Sequence, residues 1–195
     1  DFAGSNMSIR LRHDRSQQVV RNARWAPCFV TGPGSGHCAT RSLDELFAAL
    51  LEEKPNYLQA YPTIVAALAM RSVETGKKPQ GLREVRTYGG VLDPDVRQLA
   101  SESWGVPVTE NYSAMEVGLI ALQCPKSNDL HVQDESVLVE ILDEAGRHCA
   151  PGEVGRVVVS VLHNFATPMI RYELGDYAEV GETCACGRGL LTLKR

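Results

Sequence analysis

The chain changes rhythm near residue 112, and that change restricts it to an α/β part followed by a β part. Between residues 42 and 112, helix and strand signals alternate. Ser42 followed three residues later by Glu45 makes a capping box, and Leu43, Leu46, Phe47, Leu50 and Leu51 line one helical face. Pro55-Asn56 ends that helix, and 57–61 reads as a short strand. Pro62 opens a second helix that carries Ile64, Val65, Leu68 and Ala69 and stops at Gly76. A strand at 84–88 and a Gly89-Gly90 turn follow; Asp93 then caps a helix starting at Pro94, and 106–112 is a third strand. Strand, helix, strand, helix, strand at this spacing predicts parallel strands joined by right-handed crossovers. From 117 onward only strands and turns remain, with strands predicted at 117–123, 136–142, 156–162 and 177–180. Asp143-Glu144-Ala145-Gly146 and Pro151-Gly152 supply turns between them. The predicted fold is α/β: a parallel βαβαβ unit followed by a small antiparallel β unit. The predicted division is an irregular segment at 1–41, an α/β unit at 42–116 and a β-rich unit at 117–195.

Composition excludes some partners. Twenty basic residues against 24 acidic ones give a net charge of -4, which argues against a nucleic-acid partner, because phosphate-backbone binding draws on clustered positive charge. The longest apolar run, 64–70, is far short of the roughly 20 residues a membrane helix needs. The first 15 residues hold no signal-peptide core. Six cysteines without a secretory signal point to a reducing, cytoplasmic setting, with some thiols on a metal.

Open parallel sheets bind ligands outside the carboxyl ends of their strands. Those ends are predicted at Tyr61-Pro62, at Tyr88-Gly89-Gly90-Val91 and at Asn111-Tyr112-Ser113-Ala114-Met115-Glu116. Each turn carries a tyrosine, two carry backbone or carboxylate groups suited to a nucleotide or a hard cation, and all three would converge on one edge. The alternative is a rim of amphipathic tyrosines with no ligand. Thr31-Gly32-Pro33-Gly34-Ser35-Gly36 lacks the Gly-Lys-Ser/Thr ending of a P-loop and reads as a plain loop.

At these residues the sequence resembles the adenylate-forming acyl-CoA ligases, in particular their phenylacetate–CoA ligase-like branch. The likeness runs from about Leu46 to the C-terminus. Asn111-Tyr112-Ser113-Ala114-Met115-Glu116 resembles that family's Tyr-Gly-x-Thr-Glu motif, and Gly152-Glu153-Val154-Gly155 its Gly-Glu-x-Gly turn. Tyr172-Glu173-Leu174-Gly175-Asp176 resembles Tyr-x-Thr-Gly-Asp, and Cys184-Ala185-Cys186-Gly187-Arg188 the Cys-x-Cys-Gly-Arg loop. The resemblance implies a part of the large N-terminal domain of such an enzyme. Tyr112 would stack on adenine, Gly89, Gly90 and Ser113 would line its slot, and Asp176 would take the ribose hydroxyls. Glu116 would serve catalysis by holding Mg²⁺ beside the phosphates, and Tyr61 would help wall the acyl pocket. The implied reaction joins a carboxylic acid, aryl or arylacetic, to ATP as acyl-AMP, which CoA then captures.

Three positions depart from the family pattern. Met115 replaces a Thr or Ser, Val91 follows the glycine pair where Glu is frequent, and Leu174 stands for Thr. No Ser/Thr/Gly-rich loop ending in Lys is present, and the sequence ends at Lys194-Arg195, where the family's hinge and mobile lid would begin. The resemblance therefore implies a poor catalyst on its own, and a non-catalytic binder of nucleotide or acyl-adenylate is the alternative. A nicotinamide-type domain is disfavoured, since no Gly-x-Gly-x-x-Gly follows a strand. An open sheet edge would favour a homodimer.

Cys124, His131, Cys184 and Cys186 supply three thiolates and an imidazole, a complete shell for structural Zn²⁺. The alternative is free thiols and a surface histidine. Cys28, Cys38 and Cys149 read as ordinary thiols, and His13, His37, His148 and His163 as exposed or local hydrogen-bonding residues. Arg10 and Arg12 alternate with Ile9 and Leu11 as in a short strand with one basic face, which His13 and Arg15 extend into a strip.

Overall fold

The computed structural model describes residues 4–11, 18–20, 24–26, 29–30 and 32–194. Arg12, His13, Arg15, Cys28 and Thr31 lie outside them. Two compact units divide the chain, Asp1–Glu110 and Asn111–Arg195.

The first unit contains β1 (Asn6–Arg10), β2 (Gln18–Val20), β3 (Arg24–Ala26), β4 (Phe29–Val30) and β5 (Gly34–Cys38). Then come α1 (Leu43–Glu53), β6 (Tyr57–Ala60), α2 (Pro62–Thr75), β7 (Glu84–Thr87) and α3 (Pro94–Trp104), before the start of β8 (Val108–Ala114). Parallel pairing links β8 to β7, β7 to β6, β6 to β1 and β1 to β5, and β2 closes the row antiparallel to β5. β3 and β4 form a separate hairpin.

The helices start and stop where their caps dictate. Ser42 Oγ accepts the Glu45 N–H at 3.3 Å while the Glu45 carboxylate accepts the Ser42 N–H at 2.9 Å. Pro62 occupies the first turn of α2, and Gly76 ends it with a φ of 66°. Asp93 caps α3 through the Asp95 N–H at 2.8 Å. Leu46, Phe47, Leu50, Val65, Leu68, Ala100 and Trp104 face Ile9, Leu58, Ala60 and Val85 in one buried core. Trp104 Nε1 donates to Ser72 Oγ at 2.8 Å, so the indole buries without an orphaned donor.

β5 corrects the expectation of a plain loop at 34–36, while 32–33 are irregular as expected. Its Gly34-Ser35-Gly36 start has little intrinsic strand preference, yet β1 and β2 flank it on both sides. His37, only 1% exposed, is held by Glu53 Oε1 at 2.9 Å and by Arg41 at 3.0 Å, and Ser35 Oγ also reaches Glu53. Side-chain bonds to α1 thus fix a strand whose own composition would not.

The second unit continues β8 and adds β9 (Gly118–Gln123), β10 (Leu130–Val132), β11 (Val137–Leu142), β12 (Val154–Val161), β13 (Tyr172–Val180) and β14 (Thr192–Lys194). Every pairing within it is antiparallel, in the order β11, β12, β13, β14, β10, β9, β8. Ile120, Leu130, Val132, Val137, Ile141, Val157, Val159 and Leu193 form its core. β13 starts at Tyr172 rather than 177. Its first half is largely exposed and lacks apolar alternation, so the β12 ladder rather than burial holds it. Among the described residues no helix is long and apolar enough to cross a membrane.

Candidate functional site

In the second unit, β8 presents Tyr112 and β13 presents Asp176, and the tyrosine Oη donates to Asp176 Oδ2 at 2.7 Å. The Tyr112 ring is otherwise buried, while Asp176 is exposed. A carboxylate with two oxygens keeps acceptor capacity for a further hydroxyl after taking one. Just beyond Tyr112 the strand bulges, and Ala114 pairs with Gly118, whose φ of 90° closes the turn to β9. Met115 and Glu116 stand at the tip of that turn; Met115 is 100% exposed and Glu116 is exposed. Ser113 is half-buried at the bulge. The Met115 side chain offers no hydroxyl there, as its departure from the motif implied.

In the first unit, the carboxyl edge carries Tyr61, Tyr88, Gly89 and Gly90. The Tyr61 and Tyr88 rings are tilted against each other with centroids 4.8 Å apart. Burial and the neighbouring Tyr61 push the Tyr88 phenol well above its ordinary pKa. Gly89 has a φ of 69°, and a Cβ there would lie 2.7 Å from Tyr61 Cε1. Only glycine fits this close approach. The following residues are anchored by a group that the sequence reading did not single out. Glu110, buried on β8, accepts the Leu92 N–H at 3.1 Å.

A second constellation lies wholly in the β unit. The ligand atoms of Cys124, His131, Cys184 and Cys186 all fall within 4.8 Å of one another. Cys124 Sγ is 3.7 Å from Cys184 Sγ, and Cys186 Sγ is 3.4 Å from His131 Nε2. A tetrahedron with zinc–sulfur bonds of 2.3 Å has sulfur–sulfur edges of about 3.8 Å and sulfur–nitrogen edges of about 3.6 Å. The spacing therefore suits a four-coordinate metal. The Lys126 N–H, 3.4 Å from its sulfur, is the largest influence holding the Cys124 thiol down at about 6, helped by His131, Cys184 and Ser127 against burial. The Arg188 N–H favours the Cys186 thiolate, but burial and the sulfurs of Cys184 and Cys124 outweigh it and push that thiol up. His131 Nδ1 is buried with no hydrogen-bond partner among the described residues.

No protein-family model matches the chain. Its sequence is 27% identical over 142 residues to the phenylacetate-coenzyme A ligase of Thermus thermophilus, covering 69% of this chain and 32% of that one. It is 32% identical over 104 residues to the human mitochondrial acyl-coenzyme A synthetase ACSM5, covering 51% and 18%. Its fold is similar to that of a 2-hydroxyisobutyryl-CoA ligase solved in the postadenylation state with an acyl-AMP, with a TM-score of 0.71 and 25% identity over 81% of this chain and 35% of that one. The chain thus spans about a third or less of the length of these relatives. The likenesses in sequence and in fold all point to one family, the adenylate-forming acyl-CoA ligase superfamily. Within it, the Thermus phenylacetate-coenzyme A ligase is the relative whose match covers more of this chain than the human synthetase does.

Proposed function

We propose that this chain supplies the central nucleotide-binding part of an enzyme that activates a carboxylic acid with ATP and passes the acyl group to CoA. The observation that carries this reading is the Tyr112–Asp176 hydrogen bond, which orients an exposed carboxylate suited to ribose hydroxyls beside the edge of a tyrosine ring. Ser113 beside them lines the same slot. In the first unit, the backbone at Gly89 and Gly90 can approach a flat ligand, and Tyr61 walls the acyl group.

The chemistry runs in two steps. A carboxylate oxygen attacks the α-phosphorus of ATP, forming a P–O bond as the bond to pyrophosphate breaks. The CoA sulfur then attacks the acyl carbon, and AMP leaves with the electrons of the C–O bond. Glu116, exposed at its turn tip, is the residue that would hold Mg²⁺, which offsets phosphate charge. An aryl or arylacetic acid is the substrate class, supported by the Tyr61–Tyr88 pair and by the name of the Thermus relative. Bound acyl-AMP in the 2-hydroxyisobutyryl ligase supports the adenylate step.

The four-ligand cluster would hold a structural Zn²⁺ that fastens the loop after β9 to the loop before β14. A closed shell of this kind contributes folding energy and leaves no open position for chemistry.

The fully exposed Met115 favours a second reading, a module that binds acyl-adenylate without forming it, because the hydroxyl expected beside the phosphates is absent. Equilibrium dialysis with labelled AMP and ATP tests both readings. Saturable binding of either nucleotide is expected. Absence of binding to both would overturn the nucleotide-site assignment, and AMP-only binding would select the second reading.

A further inference from the structure

Register in the first unit lines up three residues that the sequence reading kept apart. Ser8 pairs with Gln59, and Ala60 pairs with Thr87. Arg10 at the end of β1 therefore stands level with Tyr61 just past β6 and Tyr88 just past β7. Side chains alternate along strands, so Ile9, Leu58, Ala60, Val85 and Thr87 face the helices while Arg10, Gln59, Tyr61 and Tyr88 share the opposite face. All four sit at the carboxyl edge of adjacent parallel strands, the edge where such sheets take ligands.

The guanidinium is held there rather than trailing in solvent. Its Nε donates to Ser8 Oγ at 2.6 Å, one Nη donates to Gln59 Oε1 at 3.2 Å, and its carbon lies 5.9 Å from the Tyr88 ring centroid. Tyr88 is fixed in turn, its Oη donating to the Ile9 carbonyl at 2.7 Å. Among the described residues Arg10 has no carboxylate partner, whereas Arg86 on the same face pairs with Glu84 at 2.8 Å. A preorganised guanidinium with no carboxylate partner among the described residues, beside two tyrosine rings, matches a flat organic anion: donors for a carboxylate and an aromatic surface for the body behind it.

We propose that Arg10, with Gln59, Tyr61 and Tyr88, forms a recognition site for a small aromatic carboxylate that binds without nucleotide. The proposal deepens the acid-activation reading and rests on it only for the choice of a carboxylate as ligand. Arg10 would read the anionic group and Tyr61 the ring.

Calorimetric titration of the chain with phenylacetate and with phenylacetamide, its uncharged isostere, tests this with no nucleotide present. Phenylacetate should bind roughly tenfold or more tightly than the amide, as a charge-assisted hydrogen bond implies. Arg10→Met, which keeps the stem on Tyr88 but removes the charge, should abolish that preference. Inorganic phosphate should bind more weakly than phenylacetate. Equal affinity for acid and amide in the unaltered chain, retention of the preference in Arg10→Met, or phosphate binding as tight as phenylacetate would each overturn the proposal. AMP titrated alongside separates the two readings: loss of AMP binding counts against the nucleotide site, and loss of acid discrimination counts against Arg10.

Discussion

Tyr112 and Asp176 stand 64 residues apart in sequence and share a 2.7 Å hydrogen bond. On the proposed reading, the ring of one would meet the base of a nucleotide and the carboxylate of the other its sugar. Tyr112→Phe leaves the ring but frees Asp176 to reorient, so AMP should bind about 3- to 10-fold more weakly, the range of one ordinary hydrogen bond. Asp176→Asn should weaken AMP further while changing binding of 2′,3′-dideoxy-AMP little. Equal losses for both nucleotides, measured by calorimetry, would remove Asp176 from the ribose role.

Glu116→Gln keeps the size of the turn-tip side chain and removes its charge. Nucleotide binding in the presence of Mg²⁺ should drop toward the value measured without Mg²⁺, and the Mg²⁺-free value should stay unchanged. A variant that loses both equally would show that Glu116 does not serve the cation.

How much of this was legible in the sequence depends on what holds each element. The three helices were, because Ser42, Pro62, Gly76 and Asp93 are local signals that act within one turn. β5 was not, because Gly34-Ser35-Gly36 owes its extended path to flanking strands and to the contacts of Ser35 and His37 with Glu53. β10 and β14, three residues each, are too short for alternation to show. The metal-type cluster was legible as residue types, and the spacing of its atoms came only from the fold. The sequence shows Arg10 only as part of a short strand's basic face, because no local pattern reports which residues of other strands stand level with it.

The cluster of Cys124, His131, Cys184 and Cys186 carries its own test. Purified chain should hold about one zinc, and chelation should lower its melting temperature. Metal binding displaces thiol protons, so zinc affinity should fall as pH falls. Cys184→Ser should lose the metal. A metal-free chain by native mass spectrometry, with Cys124, Cys184 and Cys186 all open to alkylation, would contradict the assignment.

Gly89→Ala places a methyl 2.7 Å from Tyr61 Cε1 at a φ of 69°. The left-handed backbone alone costs an ordinary residue about 1–3 kcal/mol, and Tyr61 must also move. The variant should melt at lower temperature and lose the near-ultraviolet signal of the Tyr61–Tyr88 pair. An unchanged melt would show that the edge relaxes freely.

The capping box of α1 gives an acid-limb signature. Glu45 is held below the ordinary glutamate value of 4.5 by the Ser42 N–H and then by the Ser42 hydroxyl. A carboxylate with a depressed folded pKa stabilises fully above its unfolded value. Its contribution should therefore be intact above about pH 4.5 and be lost as pH falls through the lower, folded value. Denaturant titrations of the chain and of Glu45→Ala should converge as the pH drops below that window; a constant difference across it would contradict the capping role.

The central claim is that Tyr112 and Asp176 mark an adenylate site. The most direct measurement is calorimetric titration of the chain and of Asp176→Asn with a non-hydrolysable phenylacetyl-adenylate mimic. Saturable binding by the chain, weakened about tenfold or more in Asp176→Asn, is the expected result. Failure of the chain to bind the mimic, or equal affinity in the variant, would contradict the claim.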